Sequence, residues 1–171
     1  CELLDEAIKK KAEVRAIAFD LNLPEILTRL EKLKSRLKVI IDDSTDHKGT
    51  TTPESQSATR LGKSAGVTNV VRQHMANLQH HKSIAVRGPG VNKVLYGSTN
   101  FTWRGFYVQS NNAVVVNGKD ALDDYFAAFD SYFTAANADA FRASKAPAGW
   151  HPLAIDGINA KVAFSPHTKA N

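Results

Sequence analysis

Five short apolar runs separated by helical patterns restrict the fold of this chain more than any other feature. Residues 14–19, 39–41, 83–86, 94–96 and 113–116 are rich in Val, Ile, Ala and Leu with little polar alternation. A sheet wetted on one face alternates apolar and polar residues, whereas continuous runs mark strands covered on both faces. Between them lie amphipathic patterns. Leu3, Leu4, Ala7 and Ile8 predict a helix over 3–11. Asn22, with Pro24 in the first turn and Glu25 three residues on, predicts a helix start. Ile26, Leu30, Leu33 and Leu37 then share one helical face. Thr52-Pro53 is a cap and first-position pair, and its helix runs to about Ala65, where Gly66 stops it. A long helix is predicted over 120–141, with Leu122, Tyr125, Phe126, Phe129, Tyr132 and Phe133 as a core stripe. The expected fold is α/β: a mixed β-sheet flanked by helices on both faces. Residues 1–145 are expected to form one domain and 146–171 a tail. That tail is irregular over 146–152 and ends in a strand at 161–164.

At 171 residues the chain is long enough to bury roughly two-thirds of its unfolded surface. No disulfide or metal is needed to fold it. Cys1 is the single cysteine, which excludes an internal disulfide. No apolar run reaches the length of a membrane span and no signal-peptide pattern opens the chain, so a cytoplasmic location is expected. The formal charge of +5 and a pI near 9.4 suit a polyanionic partner. The chain opens without methionine and directly in a helical pattern. A fragment or processed product is expected.

The chemistry is concentrated between Gln79 and Gly105. The two strands there flank the turn RGPGVN, a natural β-hairpin. With its centre near Gly90, Lys82 falls opposite Ser98 and His80 opposite Asn100. Positions two apart on a strand share a face, so all four are expected to project from one side. An imidazole, an ammonium, a hydroxyl and a carboxamide on one patch are what phosphate-ester cleavage requires. The first attacks phosphorus, and the others hold its oxygens. Histidine suits attack because its ordinary pKa of about 6.5 leaves it neutral near pH 7.

These residues resemble the phospholipase D superfamily. His80-His81-Lys82 fits its H-x-K element and Gly97-Ser98-Thr99-Asn100 its G-S-x-N element, while AFDLNLPEILTRLEKL and KVIIDDS are similar to the strand, helix and strand preceding the motif. The resemblance implies a phospholipase D-like fold and a metal-independent phosphodiesterase. In it His80 becomes a covalent phosphohistidine, and Lys82, Ser98 and Asn100 hold the phosphoryl oxygens. No cofactor and no metal are implied. Two positions depart from the family pattern. Arg87 stands where the family's aspartate follows the lysine, and Asn111 stands where many members carry a glutamate that orients the histidine. An asparagine can accept an imidazole N–H, though it stabilises an imidazolium less than a carboxylate does. The family's chemistry also uses a second histidine to protonate the leaving oxygen. This chain carries one motif. The second half is expected from a homodimer about a two-fold axis or from a missing part of a parent chain. The tail KVAFSPHT, similar to the opening strand of a repeat, favours the longer parent.

Other clusters read more plainly. His80 and His81 are consecutive on a strand and diverge, which argues against a metal held by His74, His80 and His81. His81 is expected to pack or to support the site. Asp20, Asp42 and Asp43 sit at strand ends, where capping and turn roles are expected. Trp103, Arg104 and Tyr107 can stack on a base, line an acyl pocket or pack. Three functions follow from the residues. The first is a phosphodiesterase acting on nucleic acid, on the strength of the charge and the absence of an apolar surface helix. The others are a phospholipase or phosphatidyltransferase, and an inactive phosphate-binding module.

Overall fold

The structure, a computed structural model, describes residues 1–144, 146 and 148–167. Lys145, Pro147 and residues 168–171 lie outside it, and with them parts of the predicted tail. Helix α1 (Glu2–Lys9) precedes β1 (Glu13–Ala18), α2 (Pro24–Leu33), β2 (Leu37–Ile41), α3 (Pro53–Ala65) and β3 (Val70–Arg72). A hairpin of β4 (Ser83–Gly88) and β5 (Val91–Gly97) follows, then α4 (Trp103–Tyr107), β6 (Ala113–Asn117), α5 (Lys119–Thr134) and α6 (Ala138–Ala143). Strands β7 (His151–Ile155) and β8 (Ile158–Val162) close the described chain.

Six strands form one mixed sheet in the order β3-β2-β1-β4-β5-β6. β1, β2 and β3 are parallel, and the remaining pairs are antiparallel. Period-two alternation sends Val14, Ala16, Ala18, Val39, Ile41, Ile84 and Val86 to one face, against α1, α2 and α3. Ile17, Ile40, Ala85 and Val94 point to the other, against the aromatic stripe of α5 and Phe141 of α6. Because the central strands feed two cores, each carries an unbroken apolar run, at 16–18, 39–41 and 84–86. This is the expected α/β architecture with both faces covered.

Several local expectations fail for identifiable reasons. Asn22 does not cap α2. Its N–H and that of Leu23 both donate to Phe101 O, at 3.1 and 2.9 Å, and Leu23 is the N-cap without a side-chain bond. The helix predicted over 120–141 is two helices. Ala135 turns extended, and Asn137 caps α6 by accepting the Ala140 N–H at 2.9 Å. β3, too short to stand out in the sequence, extends the sheet beside β2. Residues 151 and 152, expected to be irregular, begin β7, and Lys161 and Val162 end β8. The β7–β8 hairpin packs on α5, with His151 Nδ1 3.4 Å from Asp124.

The β4–β5 register also differs. Gly88 faces Val91 across a two-residue Pro89-Gly90 turn, where Gly90 supplies the positive φ of 69°. The pairing runs to Ser83 against Tyr96, so Lys82 falls beside Gly97, whose N–H donates to Lys82 O at 3.2 Å. The ladder ends there. Ser98 N–H turns away to Asn112 O at 3.0 Å. The predicted Lys82–Ser98 and His80–Asn100 pairs therefore do not form.

Candidate active site

His80 and Lys82 lie where β1 and β2 end and β4 begins, and Ser98, Asn100 and Asn111 lie on the connection from β5 to β6. β1 and β4 are antiparallel, with Ile17 opposite Ser83. The segment 79–82 therefore runs beside 18–20, at the carboxyl ends of the parallel strands, where α/β folds place their sites. Two carboxylates emerge at those ends, Asp20 after β1 and Asp42 after β2.

Asp42 is fully buried and anchors the histidine segment. Its Oδ1 accepts the Gln79 N–H at 2.6 Å, and its Oδ2 accepts from Ser44 and faces His47 Nδ1 at 2.7 Å. Gln79 is itself 1% exposed. Its side-chain amide donates to Ala18 O at 3.0 Å, and its carbonyl accepts from the His81 N–H. The residues on both sides of His80 are thus bolted to the sheet.

His80 itself is exposed, with its ring edge-on to Phe19 at 4.6 Å between centroids. Among the described residues its ring nitrogens make no hydrogen bond, which leaves a lone pair free to attack. Burial, and then the neighbouring Lys82 charge, lower its pKa below the ordinary histidine value. Both effects favour the neutral, nucleophilic imidazole. Lys82 is buried, and its ammonium donates to His80 O at 2.7 Å and lies 4.7 Å from the centre of the Phe19 ring. Burial pulls its pKa down to about 8, against the raising influence of Asp20 and Asp42. His81 points to the opposite face, 5.8 Å from the Tyr132 ring, and burial lowers its pKa to about 4. It packs, and it stays neutral.

The G-S-x-N half is held from the other side. Ser98 Oγ donates to Asn111 Oδ1 at 3.0 Å and accepts the Asn112 N–H at 3.1 Å. Asn111 Nδ2 donates to Gly105 O at 2.9 Å. Its carboxamide thus links Ser98 to α4, and among the described residues it makes no hydrogen bond to His80. Gly105 lies so close to Asn100 that a Cβ there would stand 2.1 Å from Asn100 O. Phe101 N–H donates to Asp20 O at 3.2 Å, which fixes this loop to the end of β1. Asn100 borders a cleft of about 440 Å³ shared with Asp20, His47 and Glu54. The structure thus joins His80 to Lys82 and Ser98 to Asn111, and brings Asn100 to the end of β1.

Arg87 lies at the far end of β4, roughly 16 Å of strand from Lys82 at about 3.3 Å per residue. There it ion-pairs with Asp123 of α5 at 2.8 Å and stacks 3.7 Å over Phe126. His74 pairs with Asp43 at 2.6 Å, apart from His80 and His81. Trp103, Phe106 and Tyr107 of α4 are exposed and neighbour one another, with Trp103 and Tyr107 centroids 6.0 Å apart. An apolar surface helix therefore does exist, contrary to expectation. It is only five residues long, too short for its face to be read from periodicity. His47, unremarked in the sequence, lies between Asp20 and Asp42. No described helix is long and apolar enough to cross a membrane.

A family model described as the phospholipase D-like domain of cardiolipin synthase matches residues 2–133. Among solved structures, the chain is similar to Nuc from Salmonella typhimurium, a phospholipase D family member. The match has 28% identity and a TM-score of 0.54, over 73% of this chain and 80% of that one. It is also similar in fold to NucT from Helicobacter pylori, with 14% identity and a TM-score of 0.52, over 77% of this chain and 85% of that one. Polyphosphate kinase from Porphyromonas gingivalis shares the fold at 15% identity and a TM-score of 0.54, over 72% of this chain and 22% of that one. No curated protein matches.

Proposed function

The chain belongs to the phospholipase D-like domain family, and from that premise we propose that it hydrolyses phosphodiesters through a phosphohistidine on His80, with nucleic acid as substrate. The observation that carries this reading is the His80–Lys82 pair. An imidazole whose nitrogens make no hydrogen bond among the described residues stands beside a buried ammonium, and both are mounted on a segment fixed by Asp42 and Gln79. The imidazole attacks phosphorus as Lys82 neutralises a non-bridging oxygen. Asn100 donates to one of the remaining oxygens, and Ser98 to another by turning its hydroxyl away from Asn111 Oδ1. Water then cleaves the phosphoramidate bond and restores His80. No metal takes part in this chemistry.

The leaving oxygen needs a proton donor. We assign it to the histidine of a second half, from another copy of the chain or another part of its parent protein. Nucleic acid is favoured by the net charge of +5 and by exposed Trp103, Arg104 and Tyr107, which offer stacking faces beside the Asn100 cleft. A phospholipid substrate is the second reading. The exposed aromatic rim of α4 favours it, as does a pocket of about 270 Å³ beside His80 and Lys82, walled by Ile17, Phe129, Phe141 and Phe164.

The test is a substrate panel of single-stranded DNA, RNA and phosphatidylcholine vesicles, run in EDTA with wild type and His80→Asn. Cleavage of nucleic acid by wild type alone is the expected result. Cleavage of the vesicles alone moves the assignment to lipid. A folded wild type that cleaves none of them but retains phosphodiester binding is a phosphate-binding module, and the hydrolase reading falls.

A further inference from the structure

Glu54 is a buried carboxylate, 3% exposed, with no ion-pair partner among the described residues. Its one hydrogen bond comes from the Leu21 N–H and is long, at 3.4 Å. Besides the partial charge of the first turn of α3, it feels the Arg72 guanidinium, which stands too far for an ion pair and is itself bonded to Ser55 and to the Asp42 and His47 carbonyls. A buried carboxylate held by one long hydrogen bond and a charge at a distance leaves room for a cation directly against it. Around it stand groups that can hold one. The ligand atoms of Asp20, His47 and Glu54 all lie within 4.8 Å of one another, on the wall of the 440 Å³ cleft. His47 Nε2 faces this space, 3.0 Å from Asp20 Oδ1. Its other nitrogen, Nδ1, is engaged at 2.7 Å by fully buried Asp42. A carboxylate behind the remote nitrogen is how proteins orient a metal-ligating histidine. On the same cleft, Asn100 Oδ1 is buried and has no hydrogen-bond partner among the described residues.

We propose that Asp20, His47 and Glu54 bind one divalent transition-metal cation, with the Asn100 carboxamide oxygen as a further donor. One imidazole and two carboxylates suit a borderline ion such as Mn²⁺ or Zn²⁺ better than Ca²⁺, which takes six to eight oxygens. An imidazolium clamped between Asp20 and Asp42 would explain those two carboxylates. It would leave Glu54 with only the long bond from Leu21 N–H and Asn100 Oδ1 without a partner among the described residues, and the metal satisfies all four groups together. The ion touches no reacting atom of the chemistry assigned to His80, and the two sites share only the Asn100 carboxamide, whose oxygen turns to the ion and whose Nδ2 stays available to the phosphoryl group. It ties the end of β1, the β2–α3 connection and the first turn of α3 into one wall beside Asn100. The three ligands come from separate segments, which is why no spacing in the sequence announces them.

The experiment measures binding directly and needs no turnover. Chelator-stripped protein is titrated with MnCl₂ by calorimetry and by loss of the free-ion electron paramagnetic resonance signal, with ZnCl₂ as competitor. Wild type is expected to take up one Mn²⁺ per chain, displaceable by Zn²⁺, with a rise in Tm. Glu54→Gln is expected to weaken binding more than about tenfold and to abolish that metal-induced rise. Should Glu54→Gln fail to fold, Asp20→Asn is read by the same binding criteria. The proposal is overturned if wild type shows no saturable uptake up to millimolar Mn²⁺, or if the folded variant binds as tightly as wild type. Either result leaves cleavage in EDTA standing, and loss of that cleavage leaves the ion site standing.

Discussion

Replacing Gln79 with methionine keeps the length of the side chain and removes its hydrogen bonds. In the native protein its amide bridges Ala18 O and the His81 N–H from a position 1% exposed. The substitution leaves the His81 N–H unsatisfied, which costs about 1–3 kcal/mol, whereas Ala18 O loses one of two bonds and keeps the Asp42 N–H at 3.0 Å. The greater apolarity of methionine offsets part of that loss. A net destabilisation of about 1–3 kcal/mol follows, and for a domain of this size it lowers Tm by on the order of 2–12 °C. The backbone bond from Gln79 N–H to Asp42 survives, so the variant isolates the side chain. Gln79→Glu sharpens the comparison. It keeps an acceptor for His81 but turns a carboxylate oxygen toward the Ala18 carbonyl, close to buried Asp42. It should be at least as damaging as methionine although its shape is native. Because His80 and Lys82 stand on this segment, turnover should fall with stability in both variants. Thermal and urea denaturation measure the effect. If both variants melt within about 1 °C of wild type, Gln79 does not hold the segment and the reasoning fails.

Three further outcomes follow from the site. The pH profile of kcat/KM is expected to be bell-shaped. It should rise as His80 loses its proton somewhat below the ordinary 6.5 and fall as Lys82 loses its own near pH 8. Lys82→Arg keeps its charge throughout that range, so any residual activity should lose the basic limb, and a limb that persists would assign it to another group. Gly105→Ala places a Cβ 2.1 Å from Asn100 O. Overpacking of this kind costs about 1–3 kcal/mol. The variant should melt lower and lose activity by displacing Asn100, and native turnover in it would show that α4 does not position that residue.

The site was legible where chemistry follows short spacing. His80 and Lys82 sit two apart, and the sequence places both on the face opposite His81, which is where they lie. The G-S-x-N residues were legible as a motif but not in their geometry. A one-residue difference in the turn, centred between Pro89 and Gly90 rather than on Gly90, ends the ladder at Gly97 and frees Ser98 to pair with β6. Register depends on turn geometry, and RGPGVN admits more than one turn. The architecture was legible because apolar strands and helical stripes are long-range averages. Its exceptions were single contacts, such as Asn137 capturing the Ala140 N–H or Phe101 O claiming the N–H of Asn22. Asp42 was placed correctly at a strand end. Its grip on Gln79 and His47 joins residues 37 and 5 positions away, which no local pattern encodes.

The central claim is that His80 attacks phosphorus. Wild-type protein mixed with a radiolabelled phosphodiester and quenched on the millisecond scale is expected to carry acid-labile, base-stable label on the peptide containing His80, and folded His80→Asn should carry none. Label on another residue, or turnover by wild type with no covalent intermediate at any quench time, would contradict it.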